Sequence, residues 1–197
     1  MDYTTTADVF AYGDVVVPSA NQTAVMNQIV TAVSRRVDVI CSMKFSYATY
    51  TNHQVPIRIG VDGLLVLYVD SPTVTTLSSA KIRMGNTSVL TPLDLTNAGI
   101  EEHRYGTKIL LFGDSYYPIR ETNTLKAYAN YSGGWATLNA VPEDFQLAMR
   151  RFCWYVYEQR ATPLNSTAAP ELGIITIPAA IPPDVMDTFK RYAWWWS

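Results

Sequence analysis

Residues 19–44 read SANQTAVMNQIVTAVSRRVDVICSMK, and this stretch decides the fold. Ser19 and Gln22 have the spacing of a capping box, in which each side chain accepts a hydrogen bond from the other residue's backbone N–H. Apolar side chains then recur about every 3.6 residues, which predicts a helix over residues 21–44. Because one helix cannot bury such a stripe alone, a second element has to pack on it. The stripe consists of Met26, Ile29, Val30, Val33, Val37, Ile40 and Cys41.

A second amphipathic helix is predicted after Pro142. Proline suits the first helical position, and Glu143 and Asp144 complement the positive end of the helix dipole. Arg160 closes the last turn of this helix. Packing the two long helices on each other is the simplest way to bury both stripes. The second stripe consists of Phe145, Ala148, Met149, Phe152 and Val156.

Two shorter helices are predicted near the ends of the chain. The first covers residues 7–12, with Thr6 as its N-cap and Gly13 at its end. The second begins at residues 182–184, a Pro-Pro-Asp sequence. Its apolar face carries Val185, Met186, Phe189 and Tyr192.

Between the long helices, residues 45–132 carry short apolar runs separated by Gly, Pro, Asn and Asp, which predicts an antiparallel sheet or a small sandwich. We therefore predict an α+β fold. It consists of a small helical bundle, made of the two long helices and the short ones, an inserted antiparallel sheet or sandwich, and an extended C-terminal arm. The predicted boundaries are 1–46 and 133–161 for the helical body, 47–132 for the β region and 162–197 for the arm. The predicted strand runs are 57–61, 64–69, 74–77, 81–84, 109–112 and 124–131.

Composition excludes several classes of protein. Hydrophobic residues make up 48% and charged residues 16% of the 197, which excludes a disordered chain. A net charge of −2 argues against a protein that grips nucleic-acid phosphates. No apolar run is long enough to span a membrane. Cys41 and Cys153 lie in helical patterns and are expected to be buried free thiols, with a disulfide between them as the alternative.

Chemistry-bearing motifs are weak in this sequence. Residues 113–115 read Gly-Asp-Ser after a predicted strand, but a serine nucleophile needs a histidine base, and no histidine follows His103. We predict a β-turn there. His103 beside Glu101 and Glu102, and His53 in a polar segment, are interpreted as solvated loop residues. We accordingly predict no enzyme, and no catalytic, cofactor-binding or metal-binding residue.

The chain carries three consecutive tryptophans near its last residue. On a free monomer they would form an unfavourable apolar patch. Packing on the protein's own core, docking on a partner subunit and anchoring at a membrane interface remain open, and docking is favoured because tryptophan is enriched at interface anchors. The predicted partner-binding residues are Trp194, Trp195, Trp196, Phe189 and Tyr192.

Three segments in order resemble the head-tail connector (adaptor, head-completion) family of tailed bacteriophages. They are Asn-Tyr-Ser-Gly-Gly-Trp-Ala at 130–136, Ala-Val-Pro-Glu-Asp at 140–144, and a helix ending Tyr-Val-Tyr-Glu-Gln-Arg at 155–160. Residues 67–77 and the helix of residues 33–43 fit the same family, so that the resemblance covers about residues 7–160 of the chain. Ser-Met-Lys stands at 42–44 where the family has Thr-Gly-Arg, and the tryptophan triplet is not a family feature.

The resemblance implies a structural virion protein without catalysis or cofactor. Family members form homo-oligomeric rings, typically of about twelve subunits, below the portal protein. The expected partners are the portal protein, a tail-side neck or tail-completion protein, and double-stranded DNA that passes through the lumen without specific binding. The expected location is the neck of the virion, after assembly in the host cytoplasm, with no membrane involved.

Three other functions remain as alternatives. The chain is a tail-completion or other neck protein, a carbohydrate-binding or adhesion module based on its aromatic β region, or a hydrolase that uses Ser115. Rotational symmetry of the assembled protein separates a neck ring from an adhesion module. Loss of ester hydrolysis in Ser115→Ala would support the hydrolase, whereas absence of activity in the native protein would exclude it.

Overall fold

The structure is a computed structural model of the chain, and it describes residues 1–59, 64–84, 89–103, 106–111, 125–161 and 180–193. Within these ranges it contains four α-helices and two antiparallel sheets of four strands each. The predicted α+β class is therefore confirmed. The chain divides into a helical unit, residues 1–42 and 136–193, and a β unit, residues 43–135.

In the helical unit, helix α3 (Glu143–Ala161) contacts each of the other three described helices. Helix α2 (Ala20–Cys41) also contacts α1 (Thr6–Tyr12) and α4 (Pro183–Lys190). The buried side chains of α2 are Met26, Ile29, Val30, Val33, Ser34, Val37 and Cys41, which follow the predicted stripe closely. The helices are α1 (Thr6–Tyr12), α2 (Ala20–Cys41), α3 (Glu143–Ala161) and α4 (Pro183–Lys190), with a short 3₁₀ turn at Leu138–Ala140 before α3.

The helix ends follow local chemistry. The predicted capping box is confirmed, because the Gln22 N–H donates to Ser19 Oγ at 3.3 Å and the Ser19 N–H donates to Gln22 Oε1 at 2.8 Å. The predicted end of α2 at residue 44 is wrong, since Ser42 adopts a left-handed conformation with φ 50° that stops the helix at Cys41. The N-cap of α1 is Thr5 instead of Thr6, and its hydroxyl accepts from the Asp8 N–H at 3.1 Å.

The described residues of the β unit form eight strands in two sheets. Their orders are β1-β8-β4-β5 and β2-β3-β7-β6, and every pairing is antiparallel. One buried hydrophobic cluster takes side chains from both sheets. The strands are β1 (Ala48–Val55), β2 (Ile57–Ile59), β3 (Leu65–Val69), β4 (Val74–Met84), β5 (Thr91–Pro92), β6 (Ala98–His103), β7 (Gly106–Leu111) and β8 (Leu125–Gly133).

The strand predictions need three corrections. The runs at 74–77 and 81–84 belong to one strand, β4, which pairs with β8 along almost its whole length. The prediction of loops around His53 and around His103 is wrong, because these segments form β1 and β6. Polar strands of this kind escape prediction because their backbone groups pair with a neighbour while their side chains face water.

Two glycines make the corner that follows β8. Gly134 has φ 102°, and a Cβ on it would lie 2.6 Å from the carbonyl oxygen of Ser46. A Cβ on Gly133 would lie 2.2 Å from the carbonyl oxygen of Thr73. Trp135 then stacks on Phe45 with 4.8 Å between ring centroids. The Gly-Gly-Trp sequence thus has a structural reason within the β unit itself, since only glycine fits these two close approaches.

Candidate functional site

Two of the five predicted partner-binding residues lie in the core of the helical unit. Phe189 is fully buried at the end of α4, with its ring centroid 5.5 Å from that of Phe145 and 6.2 Å from that of Phe152. Tyr192 is 5% exposed, and its hydroxyl donates to Asp144 Oδ1 at 2.5 Å. These contacts hold α4 on α3. The other three predicted residues, Trp194, Trp195 and Trp196, lie outside the described residues.

Ion pairs at the surface add to the attachment of α4. Arg151 on α3 lies 2.6 Å from a carboxylate oxygen of Asp184, and Arg191 lies 3.8 Å from Asp144. All four side chains are about half exposed, so each pair contributes at most about 1 kcal/mol. The aromatic contacts of Phe189 and Tyr192 therefore dominate the packing of α4. A partner role for these two residues stays a prediction.

The loop between α1 and α2 exposes apolar side chains. Val16 is 92% exposed and Val17 is 85% exposed. An open groove of about 500 Å³ lies beside them, and we call it the α1–α2 groove. Such a surface can hold an apolar side chain of another molecule. The groove is lined by Ala7, Phe10, Ala11, Asp14, Val15, Val16 and Pro18.

The β unit contains a cluster that sequence reasoning missed. A register shift in β1 between Tyr50 and His53 brings the imidazole to Asp70, where Nε2 lies 3.4 Å from Oδ1. The hydroxyl of Tyr131 donates to the same Asp70 oxygen at 2.9 Å. The rings of Tyr50 and Tyr131 stack with their centroids 4.6 Å apart. The prediction that His53 is a solvated loop residue is wrong, because it lies in β1 beside Asp70.

This cluster resembles a catalytic triad only in part. In a catalytic triad, an aspartate such as Asp70 orients a histidine such as His53, and the histidine acts as the general base. A triad also needs a nucleophile that is hydrogen-bonded to the histidine. Across the part of the chain that the structure describes, no serine or cysteine side chain is hydrogen-bonded to His53. The Gly-Asp-Ser segment at 113–115 lies outside that part. The contacts of His53, Asp70 and Tyr131 instead tie β1, β8 and the end of β3 together, which is a structural role.

Both cysteines are buried and free, as predicted. Burial raises the pKa of the Cys41 thiol to about 12, with a smaller contribution from the charge of Asp38. Burial also raises the pKa of the Cys153 thiol above its ordinary value, and the charge of Asp2 adds to it. A thiol that stays protonated is a poor nucleophile and a poor metal ligand. These cysteines are therefore packing residues of the helical core.

Alkaline pH should destabilise the fold. Burial, followed by the charge of Asp70, raises the pKa of the Tyr131 phenol above its ordinary value. The folded state then binds more protons than the unfolded state above about pH 10, so the free energy of unfolding should fall as the pH rises further. Urea unfolding at about pH 8 and about pH 11 measures this change. Tyr131→Phe should reduce the pH dependence, whereas Tyr47→Phe, at a 46% exposed position, should leave it unchanged. Equal slopes for both variants would contradict this account.

Within the described residues, no group of three or more His, Cys, Asp or Glu side chains is arranged to hold a metal ion. No helix in this part of the chain combines the length and the apolar character needed to cross a bilayer.

Comparison with known proteins finds similarity in the fold. No protein-family model and no curated protein sequence matches the chain. A chain in the neck of an empty gene transfer agent (GTA) particle is similar with a TM-score of 0.56 and 14% identity, over 95% of this chain and 88% of that chain. A chain in the virion of the native GTA particle is similar with a TM-score of 0.51 and 15% identity, over 95% and 88%. At such identities the likeness concerns the fold.

Proposed function

We propose that the protein is a structural subunit of a virion neck, a head-tail connector that forms a ring below the portal and extends the DNA channel toward the tail. The observation that carries the proposal is the likeness to a neck chain, which extends over 95% of this chain and 88% of that one. A match of that extent includes both the helical unit and the β unit. It agrees with the resemblance of residues 130–160 to the connector family.

The surface of the chain supports a role in assembly. Only 16% of its residues are charged, and Val16 and Val17 stand almost fully exposed beside the α1–α2 groove. Apolar surface of this kind is typical of proteins that bind other proteins. The neck that contains the similar chain was computed with C6 symmetry, which agrees with copies arranged around one axis. We therefore propose a homo-oligomeric ring, with the portal protein and a tail-side neck protein as its partners.

The proposed relation to DNA is passage without specific binding. The net charge is −2, and the longest runs of basic residues are pairs, such as Arg35-Arg36 and Arg150-Arg151. Tight binding to a phosphate backbone needs many clustered basic side chains. A mildly acidic lumen would allow DNA to move through the ring.

Electron microscopy tests the ring directly. Class averages of the assembled protein should show rotational symmetry about one axis, and antibodies to the chain should label the neck of the virion. Labelling of the tail alone would favour a tail-completion protein instead. A monomer that labels no part of the virion would contradict the proposal. Binding to immobilised glycans without rings would support the adhesion alternative.

The tryptophan triplet is proposed as an anchor on a partner. Deleting residues 194–197 should weaken binding to the portal ring by at least about tenfold, because interface tryptophans commonly contribute 2 kcal/mol or more. Surface plasmon resonance on the immobilised portal ring measures the loss. Deletion of Ser197 alone is the matched control and should leave the affinity unchanged. Unchanged affinity after the longer deletion would remove the anchor role without affecting the ring.

A further inference from the structure

One face of the sheet β1-β8-β4-β5 points away from the core of the β unit. Ala80 and Ile82 of β4, and Ala127 and Ala129 of β8, belong to the buried core cluster. Successive side chains of a strand alternate between the two faces of a sheet. The residues that alternate with these four therefore lie on the opposite face, which we call the polar face. In β4 and β8 they are Lys81, Arg83, Lys126, Tyr128 and Asn130.

Three basic side chains come together at one end of the polar face. Arg83 pairs directly with Lys126, and Lys81 pairs with Tyr128. Residues directly opposite each other have Cβ atoms about 4.5–5.5 Å apart, and residues two positions apart in one strand are about 7 Å apart. Lys126 is exposed, and Lys81 and Arg83 are partly exposed. The sequence does not reveal this cluster, because β4 and β8 lie far apart in the chain.

The positive charges of the cluster are not neutralised by an ion pair within the described residues. None of Lys81, Arg83 and Lys126 pairs there with a carboxylate. The Arg83 guanidinium lies over the ring of Tyr128, with Cζ 5.9 Å from the centroid, and its buried Nε has no hydrogen-bond partner in the described part of the chain. Like charges directly opposite in an antiparallel pair are unfavourable. An anion that binds between them makes the arrangement favourable.

The four described carboxylates of the β unit have other partners or lie in the other sheet. Asp94, which follows β5, accepts hydrogen bonds from the backbone N–H and the hydroxyl of Thr96 at 2.9 and 2.6 Å. Asp70 accepts a hydrogen bond from the Tyr131 hydroxyl at 2.9 Å. The other two carboxylates are in β6 of the second sheet. This end of the polar face is therefore positively charged, although the net charge of the chain is −2.

The chemistry of the polar face favours a nucleic acid over a protein as its partner. The core of an interface between proteins is apolar and depleted of charged residues. Among the described residues, none of the exposed large apolar side chains lies in β1, β4 or β8. The polar neighbours of the cluster carry amide, hydroxyl and phenol groups, which bind phosphate oxygens without reading the base sequence. These neighbours are Gln54, Ser79, Tyr128 and Asn130.

We propose that the polar face lines the lumen of the ring and that Lys81, Arg83 and Lys126 contact the phosphates of the DNA that passes through it. This inference rests on the ring proposed above. Contacts to phosphates carry no sequence information and are weakened by salt, so they guide DNA without holding it at one sequence. Repeated around the ring, the three side chains of each copy form a basic band in a lumen wall that is otherwise mildly acidic.

The salt dependence of DNA binding tests the contact. Lys81→Gln/Lys126→Gln removes two positive charges and should weaken binding to a mixed-sequence duplex of about 30 base pairs by at least about tenfold at about 50 mM salt. The slope of log K against log salt concentration should decrease in magnitude by about 1.8, because each phosphate contact contributes about 0.9. Fluorescence anisotropy of the labelled duplex, titrated with the full chain, measures both quantities.

A charge-matched variant separates the polar face from the overall charge of the protein. Arg36→Gln/Lys190→Gln removes two positive charges from exposed positions of the helical unit and should change the DNA affinity by less than about threefold. Equal losses of affinity in the two double variants would overturn the inference, because overall charge would explain both. A wild-type chain without salt-dependent DNA binding at about 20 mM salt would also overturn it and leave the ring standing.

The stability of a single variant separates a binding role from a structural role. Lys126→Gln removes the repulsion between Lys126 and Arg83, so the urea concentration at the midpoint of unfolding should not fall. A side chain that stabilises the fold would lower this midpoint when it is replaced. A lower midpoint together with unchanged DNA affinity would overturn the inference.

A reconstruction of the assembled neck tests the orientation of the polar face. Lys81, Arg83 and Lys126 should lie on the lumen wall, next to the density of the DNA. A polar face on the outside of the ring would overturn the inference and leave the proposed function standing. If Lys81→Gln/Lys126→Gln weakened binding to the portal ring and left the salt slope for DNA unchanged, the partner would be an acidic protein surface and the inference would be wrong.

Discussion

Replacing Gly134 with alanine is expected to lower the free energy of unfolding of the β unit by about 3 kcal/mol. Gly134 has φ 102°, and a Cβ there would lie 2.6 Å from Ser46 O and 2.8 Å from Tyr47 N. Both are backbone atoms, and the Tyr47 N–H donates to Trp135 O at 3.1 Å, so neither can move away cheaply. Urea unfolding followed by circular dichroism measures the change.

Two comparisons make this prediction specific. Gly133→Ala should be similarly destabilising, because its Cβ would lie 2.2 Å from Thr73 O. Ala136→Val adds apolar carbon at an exposed position of the same corner and should change the free energy by less than about 0.5 kcal/mol. A Gly134→Ala variant as stable as the wild type would mean that the corner has a different backbone path.

Replacing Phe189 with alanine is expected to lower the free energy of unfolding of the helical unit by about 4 kcal/mol. Its ring is fully buried between Phe145 and Phe152, and its removal leaves a cavity that the neighbouring rings cannot fill. Urea unfolding measures the loss. Leu147→Ala on α3 is the matched control, since that side chain is 53% exposed and its truncation should change stability by less than about 1 kcal/mol.

The Phe189 variant also distinguishes two roles for the residue. If Phe189 is a core residue, its truncation lowers the free energy of unfolding, and any loss of partner binding follows because α4 is loosened. If Phe189 is a contact residue, its truncation lowers the affinity for the partner and leaves the free energy of unfolding unchanged. Unchanged stability with weaker binding to the portal ring would therefore contradict the packing described here and support the direct partner role predicted from sequence.

The helical elements could be predicted from sequence because their signals are local. The capping box at Ser19 and Gln22 involves residues three apart, and the apolar stripe of α2 repeats within one segment. The end of α2 could not be predicted, because Ser42 adopts a left-handed conformation, φ 50°, that no local residue preference indicates. The capping box and the apolar repeat thus predicted that the helix exists, but they did not predict where α2 ends.

The strands β1 and β6 could not be predicted because their sequences carry too little apolar alternation. β1 includes Thr49, Thr51, Asn52 and Gln54, all of them exposed, and its pairing depends on β8, which lies far along the chain. For the same reason His53 had no visible partner. Tyr131 reaches it only when β1 pairs with β8, and Asp70 only when the end of β3 lies beside these two strands.

The sequence alone determined the α+β class, the two long helices with their buried stripes and the buried thiols, because each depends on residues close together in the chain. Only the tertiary structure decided how the strands pair into two sheets, that His53 lies beside Asp70, and that Phe189 and Tyr192 pack on α3. The physical reason is that strand pairing and core packing join distant residues, and neither periodicity nor capping carries information about such partners.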